Sequence, residues 1–335
     1  MTNQTISVPS RRIAVVGMGA WGSALALHCA RAGHSVVGWN RDKAVVERAL
    51  SSGEFQFAGA MLPFPSNLKI THQLQDTANA ELTIIALPAR ALAEVVPHVA
   101  ARVIVSATKG LEKDSGLTPL SYAAEKLKLA RDTLAVISGP SFASDLIAGH
   151  PISIVASSSS EALAQEVATT LSNESLRVYT STDPLGVELG GILKNVIAIA
   201  AGVSDSLEYG PSARAALITR GLAEMAALAT AMGANFKTLS GLSGLGDLLM
   251  TATESQSRNR AVGLQLGKGA KLSAVIASLG STAEGVSSAP LVQRLAQEKG
   301  VAVPITDQVV RLLRGEVVPG ELTKALMNRP LRREF

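Results

Sequence analysis

The sequence predicts two domains, an α/β N-terminal domain and an all-α C-terminal domain. At 335 residues the chain is long enough for two domains of ordinary size. Short apolar runs alternate with helical stretches as far as residue 183, which is typical of a parallel sheet covered by helices. From residue 184 onward the apolar residues recur at helical spacing. We therefore expect one domain over residues 10–183 and a second over residues 184–335.

The first stretch of the N-terminal domain carries a glycine-rich turn. An apolar strand at residues 12–17 runs into Gly17, Gly19 and Gly22, and an Ala/Leu-rich helix covers residues 20–32. In this Gly-x-Gly-x-x-Gly spacing, the first glycine makes a tight turn, the second lets the backbone approach a pyrophosphate, and the third lets the helix pack on the sheet. The helix N-terminus offers N–H groups to phosphates. The pattern predicts a Rossmann-type domain that binds a dinucleotide.

The end of the second strand, predicted at residues 35–40, bears on which dinucleotide is bound. NAD-preferring domains of this type place an acidic residue about 20 residues past the glycines, on the ribose 2′-hydroxyl. Here Asn40 and Arg41 stand at that place. The planar guanidinium of Arg41 suits a 2′-phosphate, and we assign Asp42 to the N-cap of the next helix. The sequence therefore favours NADP over NAD.

The remaining elements follow from hydrophobic spacing and from glycine and proline positions. In the N-terminal domain we predict helices over 42–51, 89–100, 117–129 and 160–171, strands over 68–71, 82–88, 102–106, 134–138, 152–156 and 176–180, and a loop over 52–66. In the C-terminal domain we predict helices over 185–207, 211–232, 244–254, 286–299 and 304–314.

Composition argues against several classes of function. The formal net charge is +4 and the basic residues are scattered, which argues against nucleic-acid binding. The single cysteine, Cys29, and five dispersed histidines lack metal-ligand spacing, so we expect no metal site. The polar N-terminus lacks the apolar core of a signal peptide, and no uncharged apolar run approaches the roughly 18 residues of a membrane span. We expect a cytoplasmic protein without stable membrane insertion.

Three candidate substrate contacts lie in loops at the carboxyl ends of strands, where ligands bind in open α/β sheets. Lys109 follows one strand, and Gly139 and Ser141 follow another. Each has a plain alternative: Lys109 is an ordinary surface lysine, and the other two belong to a strand-to-helix turn. Position alone does not decide between these interpretations.

The predicted helical domain places a lysine in the apolar run from Val187 to Ile199. A buried Lys194 would need a partner or a lowered pKa, which suits general acid–base catalysis. The alternative is a lysine that extends its charged end to solvent. Asn195 beside it is a candidate to hydrogen-bond a ligand or to cap a neighbour. Asp247 follows a glycine-rich turn and is either the partner of Lys194 or a helix cap.

The segment Ser257-Arg258-Asn259-Arg260 gathers hydroxyl, guanidinium and amide groups. Arg258 suits bidentate binding of a phosphate, and a helix beginning here would add its N–H groups. An exposed basic turn is the alternative. Residues 281–285 hold one acid, Glu284, among small residues, and its chemistry assigns it no role.

Six motifs run in order along nearly the whole chain, at residues 17–26 (GMGAWGSALA), 107–112 (ATKGLE), 138–143 (SGPSFA), 193–198 (LKNVIA), 244–248 (GLGDL) and 257–260 (SRNR). Together they resemble the bacterial NAD(P)-dependent glycerol-3-phosphate dehydrogenase family. The resemblance implies reversible hydride transfer between NAD(P)H and dihydroxyacetone phosphate, which gives sn-glycerol 3-phosphate for phospholipid synthesis.

The resemblance also implies roles for individual residues. Lys194 would exchange a proton with the substrate oxygen. The implied substrate contacts are Lys109, Gly139, Ser141, Lys194, Asp247, Ser257, Arg258 and Asn259. The implied cofactor contacts, beside Gly17, Gly19 and Gly22, are Ala20, Trp21, Arg41, Lys109, Ala143, Arg258, Thr282 and Glu284. The chain departs from the family pattern in two places: Ala20 replaces a usual serine, which removes a hydroxyl contact to the pyrophosphate, and Thr282-Ala283 stand where valines are common.

Two other functions compete with this one. A sibling β-hydroxyacid dehydrogenase would share both domains and the helix lysine, but it would not need the cluster at residues 257–259 that suits a phosphate. A non-catalytic NADP-binding sensor would not need Lys194 and Asp247. The expected partner is therefore a small phosphorylated substrate, and a homodimer is the one protein assembly that we leave open.

Overall fold

The computed structural model describes residues 9–279, 282–328, 330 and 333. The chain divides into two compact units. One, the nucleotide unit, comprises the described residues up to Thr108 together with Pro119–Pro184; the other, the helical unit, comprises Lys109–Thr118 together with the described residues from Leu185 onward. Both the α/β architecture of the first unit and the all-α architecture of the second agree with the prediction.

The segment Lys109–Thr118 differs from the predicted domain boundaries, which place it in the N-terminal domain. It groups with the helical unit. Leu111 is buried in the apolar core of that unit, and the carbonyl of Lys109 accepts a hydrogen bond from Asn195. Such contacts between distant parts of the chain leave no local signal in the sequence.

Over its described residues, the nucleotide unit contains ten strands in two sheets. Their bounds are β1 Arg12–Val16, β2 Ser35–Trp39, β3 Glu54–Phe57, β4 Ala60–Pro63, β5 Leu68–Thr71, β6 Leu82–Ile85, β7 Ile104–Ser106, β8 Leu134–Ser138, β9 Ile152–Ser158 and β10 Leu176–Ser181. The large sheet has the order β10-β9-β8-β7-β6-β1-β2-β5. Its neighbours pair in parallel except for β8 and β9, which are antiparallel. Every residue of β6, β7 and β8 is buried, as expected for strands covered on both faces.

Six α-helices belong to the described part of this unit: α1 Ala20–Arg31, α2 Lys43–Ser52, α3 Leu92–Val95, α4 Pro119–Leu127, α5 Ala143–Ala148 and α6 Glu161–Leu171. The N-cap prediction for Asp42 is confirmed, because its carboxylate accepts hydrogen bonds from the N–H groups of Ala44 and Val45. The predicted helix over 89–100 is instead α3 with a short 3₁₀ turn on each side. Pro97 has no N–H to donate to a continuous helix there.

The prediction of a loop over residues 52–66 is wrong in its middle. Strands β3 and β4 pair there as an antiparallel hairpin. Phe55 and Phe57 alternate inward with Gln56 outward, and their rings meet edge to face with centroids 5.3 Å apart. The turn uses positive φ at Ala58 and Gly59, 47° and 99°. The glycine and proline content of this segment hides a strand pattern that is only four residues long.

The helical unit has nine α-helices in its described residues: α7 Pro184–Ser206, α8 Gly210–Ala231, α9 Phe236–Leu239, α10 Asp247–Thr253, α11 Arg258–Gly267, α12 Leu272–Leu279, α13 Glu284–Glu298, α14 Pro304–Leu313 and α15 Pro319–Met327. A π turn at Leu242–Gly246 leads into α10. The five predicted helices correspond to α7, α8, α10, α13 and α14. The shorter helices α9, α12 and α15 were not predicted, and α11 corresponds to the helix that was considered only as a possibility beginning at residues 257–260.

Helix α7 passes the length and composition test for a membrane span, the one helix to do so in the part of the chain that the structure describes. Its most apolar 18-residue window is completely buried inside the protein. Core helices of soluble proteins pass the same test. Leu189, Ile192 and Val196 of α7 belong to the apolar core of the helical unit, so packing within the protein accounts for the composition of this helix.

Candidate active site

The glycine-rich turn of the nucleotide unit has the geometry of a phosphate cradle. Gly17 has a φ of +107°, and a Cβ there would lie 2.7 Å from the carbonyl oxygen of Ala86. A Cβ on Gly22 would lie 1.9 Å from the carbonyl oxygen of Gly17, so only glycine lets α1 come this close to the turn. The N-cap of α1, Gly19, provides no side-chain cap, and the space beside its Cα is open. The N–H groups of the first turn of α1 therefore fit a dinucleotide pyrophosphate.

The predicted cofactor contacts around this turn occupy helix and strand ends. Ala20 is the exposed first residue of α1, and Trp21 packs partly against the apolar core of the unit. Arg41 follows β2 and forms an ion pair with Glu94 at 3.4 Å; the two side chains are 62% and 68% exposed. Such a solvent-exposed pair is weak. It leaves the guanidinium of Arg41 able to exchange Glu94 for a phosphate.

The other predicted contacts of this unit follow β8. Gly139 comes directly after the strand, and the Ser141 hydroxyl donates a hydrogen bond to the Gly139 carbonyl at 3.0 Å. Ala143 is the first residue of α5. All three residues thus lie at the carboxyl end of a buried strand, where open α/β sheets bind ligands.

The helical unit joins two lysines through one carboxylate. Asp247 Oδ2 lies 2.6 Å from Lys109 Nζ, and Asp247 Oδ1 lies 2.5 Å from Lys194 Nζ. The Asp247 side chain is 0% exposed, and that of Lys194 is 7% exposed. Of the alternatives for Lys194 and Asp247, the structure therefore shows the buried, paired arrangement. Two cations on one anion leave the cluster with excess positive charge, which suits an anionic substrate.

Burial lowers the pKa of Lys194 from 10.5 to about 8. The charges of Lys109 and Arg258 lower this pKa further, whereas the charge of Asp247 and its hydrogen bond raise it. An amine with a pKa of about 8 is mostly protonated at pH 7 and still releases its proton readily. Lys194 thus has the acidity that a general acid needs near neutral pH.

Thr251 completes this cluster, and the sequence reasoning missed it. Its hydroxyl oxygen accepts a hydrogen bond from Lys194 Nζ at 2.8 Å and lies 3.4 Å from Asp247 Oδ1, to which the hydroxyl donates. The spacing between Asp247 and Thr251 was the available signal in the sequence. Thr251 follows Asp247 by four residues on α10, and residues four apart lie on the same face of a helix. The amine of Lys194 is therefore held by two oxygens.

A series of hydrogen bonds through two asparagine side chains connects separate segments of the same unit. The Gly285 N–H donates to Asn259 Oδ1 at 2.9 Å, Asn259 Nδ2 donates to Asn195 Oδ1 at 2.9 Å, and Asn195 Nδ2 donates to the Lys109 carbonyl at 3.1 Å. A backbone donor at one end and a backbone carbonyl at the other fix the orientation of both amides. The side chain of Asn259, a predicted substrate contact, is thus bonded to protein groups.

Ser257 and Arg258 stand at the start of α11. Ser257, another predicted substrate contact, is the N-cap, and its hydroxyl oxygen accepts from the N–H of Arg260 at 3.2 Å. Arg258 is exposed, and its guanidinium makes no hydrogen bond or ion pair to any described residue. Its charge is near enough to lower the pKa of Lys194. Arg258 is thus a guanidinium beside the lysine cluster that is available to an anion.

Two further predicted cofactor contacts, Thr282 and Glu284, lie at the start of α13, and Glu284 is its first residue. Ser281 lies outside the described residues. Over the described parts of the chain, no three His, Cys, Asp or Glu side chains converge in a way that could hold a metal ion.

Two family models cover almost all of the described chain. Residues 12–164 match the model described as the NAD-dependent glycerol-3-phosphate dehydrogenase N-terminus, and residues 183–324 match the model of its C-terminus. The chain belongs to the NAD-dependent glycerol-3-phosphate dehydrogenase family.

Individual members of the glycerol-3-phosphate dehydrogenase family are similar over nearly their full length. The proteins named glycerol-3-phosphate dehydrogenase [NAD(P)+] from Thioalkalivibrio sulfidiphilus and Methylibium petroleiphilum are 46% and 44% identical. The matches cover 90% of this chain and 92% of the first relative, and 96% of this chain and 98% of the second. The crystal structure of glycerol-3-phosphate dehydrogenase from Coxiella burnetii superposes with a TM-score of 0.90 at 37% identity, over 96% of this chain and 99% of that one.

Proposed function

We propose that this member of the glycerol-3-phosphate dehydrogenase family interconverts dihydroxyacetone phosphate and sn-glycerol 3-phosphate with an NAD(P) cofactor. The observation that carries the proposal is the buried amine of Lys194, held by Asp247 and Thr251. The exposed guanidinium of Arg258, whose charge is near enough to lower the pKa of Lys194, suits a phosphate. The two features match the two ends of this substrate, a ketone and a phosphate.

Lys194 is the group that donates and accepts the proton. When bound, the nicotinamide supplies the hydride that reduces the ketone carbon. Lys194 Nζ holds a proton at neutral pH, because its pKa is about 8, and gives that proton to the ketone oxygen as negative charge develops there. In the reverse direction the neutral amine accepts the hydroxyl proton. Asp247 and Thr251 hold the amine so that its remaining proton points to the substrate.

The positively charged side chains of Arg258 and Lys109 orient the substrate. Arg258 binds the phosphate, which is remote from the reacting carbon, and so fixes the ketone in place. Lys109 adds a second positive charge through Asp247. A sibling hydroxyacid dehydrogenase has no use for a guanidinium placed this way, which is why we favour a phosphorylated substrate.

The test is spectrophotometric. Dihydroxyacetone phosphate is added to the purified protein with NADPH or with NADH, and the absorbance of the reduced cofactor is followed. We expect oxidation of the cofactor that depends on dihydroxyacetone phosphate. Turnover of a non-phosphorylated hydroxy acid without any turnover of dihydroxyacetone phosphate would favour the sibling dehydrogenase. Absence of turnover with every carbonyl substrate would favour the NADP-binding sensor.

We infer that NADPH is preferred over NADH, because Arg41 stands at the end of β2 where an acid would repel a 2′-phosphate. Changing Arg41→Asp should raise the Kd of NADPH about ten- to a hundredfold, since a charge-assisted bond is lost and a repulsion is added. The Kd of NADH should change much less. Cofactor fluorescence titrations measure both constants, and equal effects on the two cofactors would refute the assignment.

The cellular role follows from the product. The resemblance to the family implies that the product, sn-glycerol 3-phosphate, feeds phospholipid synthesis. We also propose a cytoplasmic location, because the one helix long and apolar enough to span a membrane among the described residues is buried inside the protein. Fractionation should recover the protein with the soluble proteins rather than with membranes.

A further inference from the structure

Arg260, two residues after Arg258, binds a carboxylate on α7. Its Nε and Nη2 both donate to Asp205 Oδ2, at 2.9 and 2.7 Å. The side chains of Arg260 and Asp205 are only 15% and 12% exposed. A partly desolvated, two-bond pair of this kind is stronger than an ordinary surface ion pair. Neither residue has a role in the chemistry proposed above.

The backbones of α7 and α11 approach each other closely beside this pair. A Cβ on Gly202 of α7 would lie 2.1 Å from the Arg260 carbonyl oxygen, and a Cβ on Gly263 of α11 would lie 2.0 Å from the Ile199 carbonyl oxygen. Glycine at both positions is what lets the two helices touch. The close packing therefore sets the position of α11 along α7, and the ion pair between Arg260 and Asp205 stabilises that position.

The two residues that follow Arg258 are both fastened to α7. Asn259 Nδ2 donates to Asn195 Oδ1 at 2.9 Å, and Arg260 binds Asp205. Helix α7 also carries the proton-donating lysine. The backbone that carries the guanidinium of Arg258 is thus fixed to the helix that carries the amine.

We propose that Asp205 and Arg260 are positioning residues that set the spacing between the Arg258 guanidinium and the Lys194 amine. The proposal rests on the proposed function, because it takes Arg258 to bind the substrate phosphate. A substrate that carries a ketone at one end and a phosphate at the other must reach both groups at once. A fixed spacing therefore favours dihydroxyacetone phosphate and makes no difference to dihydroxyacetone, which lacks the phosphate.

The chain offers a matched control. Arg214 of α8 binds the same carboxylate, with Nη1 3.1 and 3.2 Å from the two Asp205 oxygens. The change Arg214→Gln removes bonds from Asp205 but leaves α11 attached to α7. The changes Arg260→Gln and Arg260→Lys remove the two-bond attachment of α11; the lysine keeps the charge and can restore one bond.

We expect Arg260→Gln to lower kcat/KM for dihydroxyacetone phosphate about ten- to a hundredfold, the range that a displacement of roughly 1 Å produces in an oriented site. Its kcat/KM for dihydroxyacetone should stay close to the wild-type value. Inhibition by inorganic phosphate should weaken by a similar factor. Arg260→Lys should fall between the wild type and Arg260→Gln, and Arg214→Gln should resemble the wild type.

Two results would overturn the proposal. One is equal loss of kcat/KM with dihydroxyacetone phosphate and with dihydroxyacetone in Arg260→Lys, since general damage to the fold affects both. The other is an unchanged kcat/KM for dihydroxyacetone phosphate and unchanged phosphate inhibition in a folded Arg260→Gln protein. Calorimetric titration of inorganic phosphate into the wild type and the variants gives the same comparison without turnover. A wild type that binds phosphate but does not reduce dihydroxyacetone phosphate would contradict the proposed function alone.

Discussion

The environment of Lys194 gives its buried amine a pKa that suits general acid catalysis. An isolated ammonium in an apolar helix would be strongly destabilising. Asp247 and Thr251 offset part of that cost, and the charges of Lys109 and Arg258 add to the effect of burial on its pKa. The balance leaves a proton that is held at pH 7 and is readily given up. Without Asp247 the same burial would lower the pKa of the Lys194 amine further, and the carboxylate without burial would raise that pKa.

The direction of the pKa shift of Lys194 predicts opposite pH profiles for the two directions of the reaction. Reduction needs the protonated amine, so its kcat should be steady below about pH 8 and fall above it. Oxidation of glycerol 3-phosphate needs the neutral amine, so its kcat should fall as the pH decreases below about 8. Steady-state rates in both directions from pH 6 to 10 measure these limbs.

The change Lys194→Ala supplies the control for these profiles. Turnover should fall on the order of a hundred- to ten-thousandfold, the usual contribution of a positioned general acid. The Kd of NADPH should stay near the wild-type value. The remaining turnover should no longer change with pH near pH 8. Near-normal turnover would remove Lys194 from its assigned role.

At the scale of elements, the position of Asp247 depends on how α7 meets the π turn before α10. A Cβ on Gly190 would lie 2.5 Å from the Ser243 carbonyl oxygen. Gly190 precedes Lys194 by one helical turn, and Ser243 precedes Asp247 by the same four residues. The backbone contact joins α7 to the π turn, and the ion pair joins α7 to α10, which follows that turn directly. The two contacts are therefore successive along the same stretch of chain, and the first sets the distance available to the second.

The change Gly190→Ala should consequently damage catalysis without removing any catalytic group. The added methyl pushes the π turn away from α7, so that the bond between Lys194 and Asp247 lengthens. We expect kcat to fall about tenfold to a hundredfold and the free energy of unfolding to fall by about 1–3 kcal/mol. Kinetics and thermal melting measure the two effects. Gly320→Ala on α15, where a Cβ meets nothing within 4 Å, is the control.

Elements with strong local patterns were predictable, and those held by distant contacts were not. The strand, glycine turn and helix at residues 12–31 follow from local spacing, as does the long buried helix α7. The hairpin of β3 and β4 was missed because its inward pattern consists of two phenylalanines. Helices α9, α12 and α15 have at most nine residues each, too few for a clear helical period.

The candidate site divides in the same way. The residue types pointed to Lys194 and Asp247, because charges within apolar or glycine-rich segments stand out in a sequence. They pointed to Arg258 because it stands among hydroxyl and amide groups that suit a phosphate. Thr251 is a common residue in a helix and does not stand out. The pairing of Asp205 with Arg260 joins residues 55 positions apart, so no local pattern reveals it.

At the scale of the whole molecule, each unit has its own apolar core. The buried histidine His28 makes the stability of the nucleotide unit depend on pH. Its Nε2 lies 2.7 Å from the Leu171 carbonyl oxygen at the end of α6. Burial lowers the pKa of His28 from 6.5, and the nearby charges of His34 and Arg31 lower it further, whereas the bond to Leu171 raises it. The folded unit therefore binds a proton at His28 less readily than the unfolded chain does.

The sign of this shift sets the pH range in which stability is lost. Above pH 6.5 His28 is neutral in both states and its contribution is fully present; as the pH falls below 6.5, the unfolded chain takes up the proton first and stability declines. The decline is at most about 1.4 kcal/mol per pH unit for one group. Calorimetric melting of the whole protein at pH 7.5, 6.5 and 5.5 should show this decline. The change His28→Gln keeps a hydrogen-bond donor for the Leu171 carbonyl and should make stability depend less on pH. The control His98→Gln, at an exposed position of the same unit, should leave the pH dependence unchanged. Equal pH dependence of stability in the wild type and in His28→Gln would contradict the assignment.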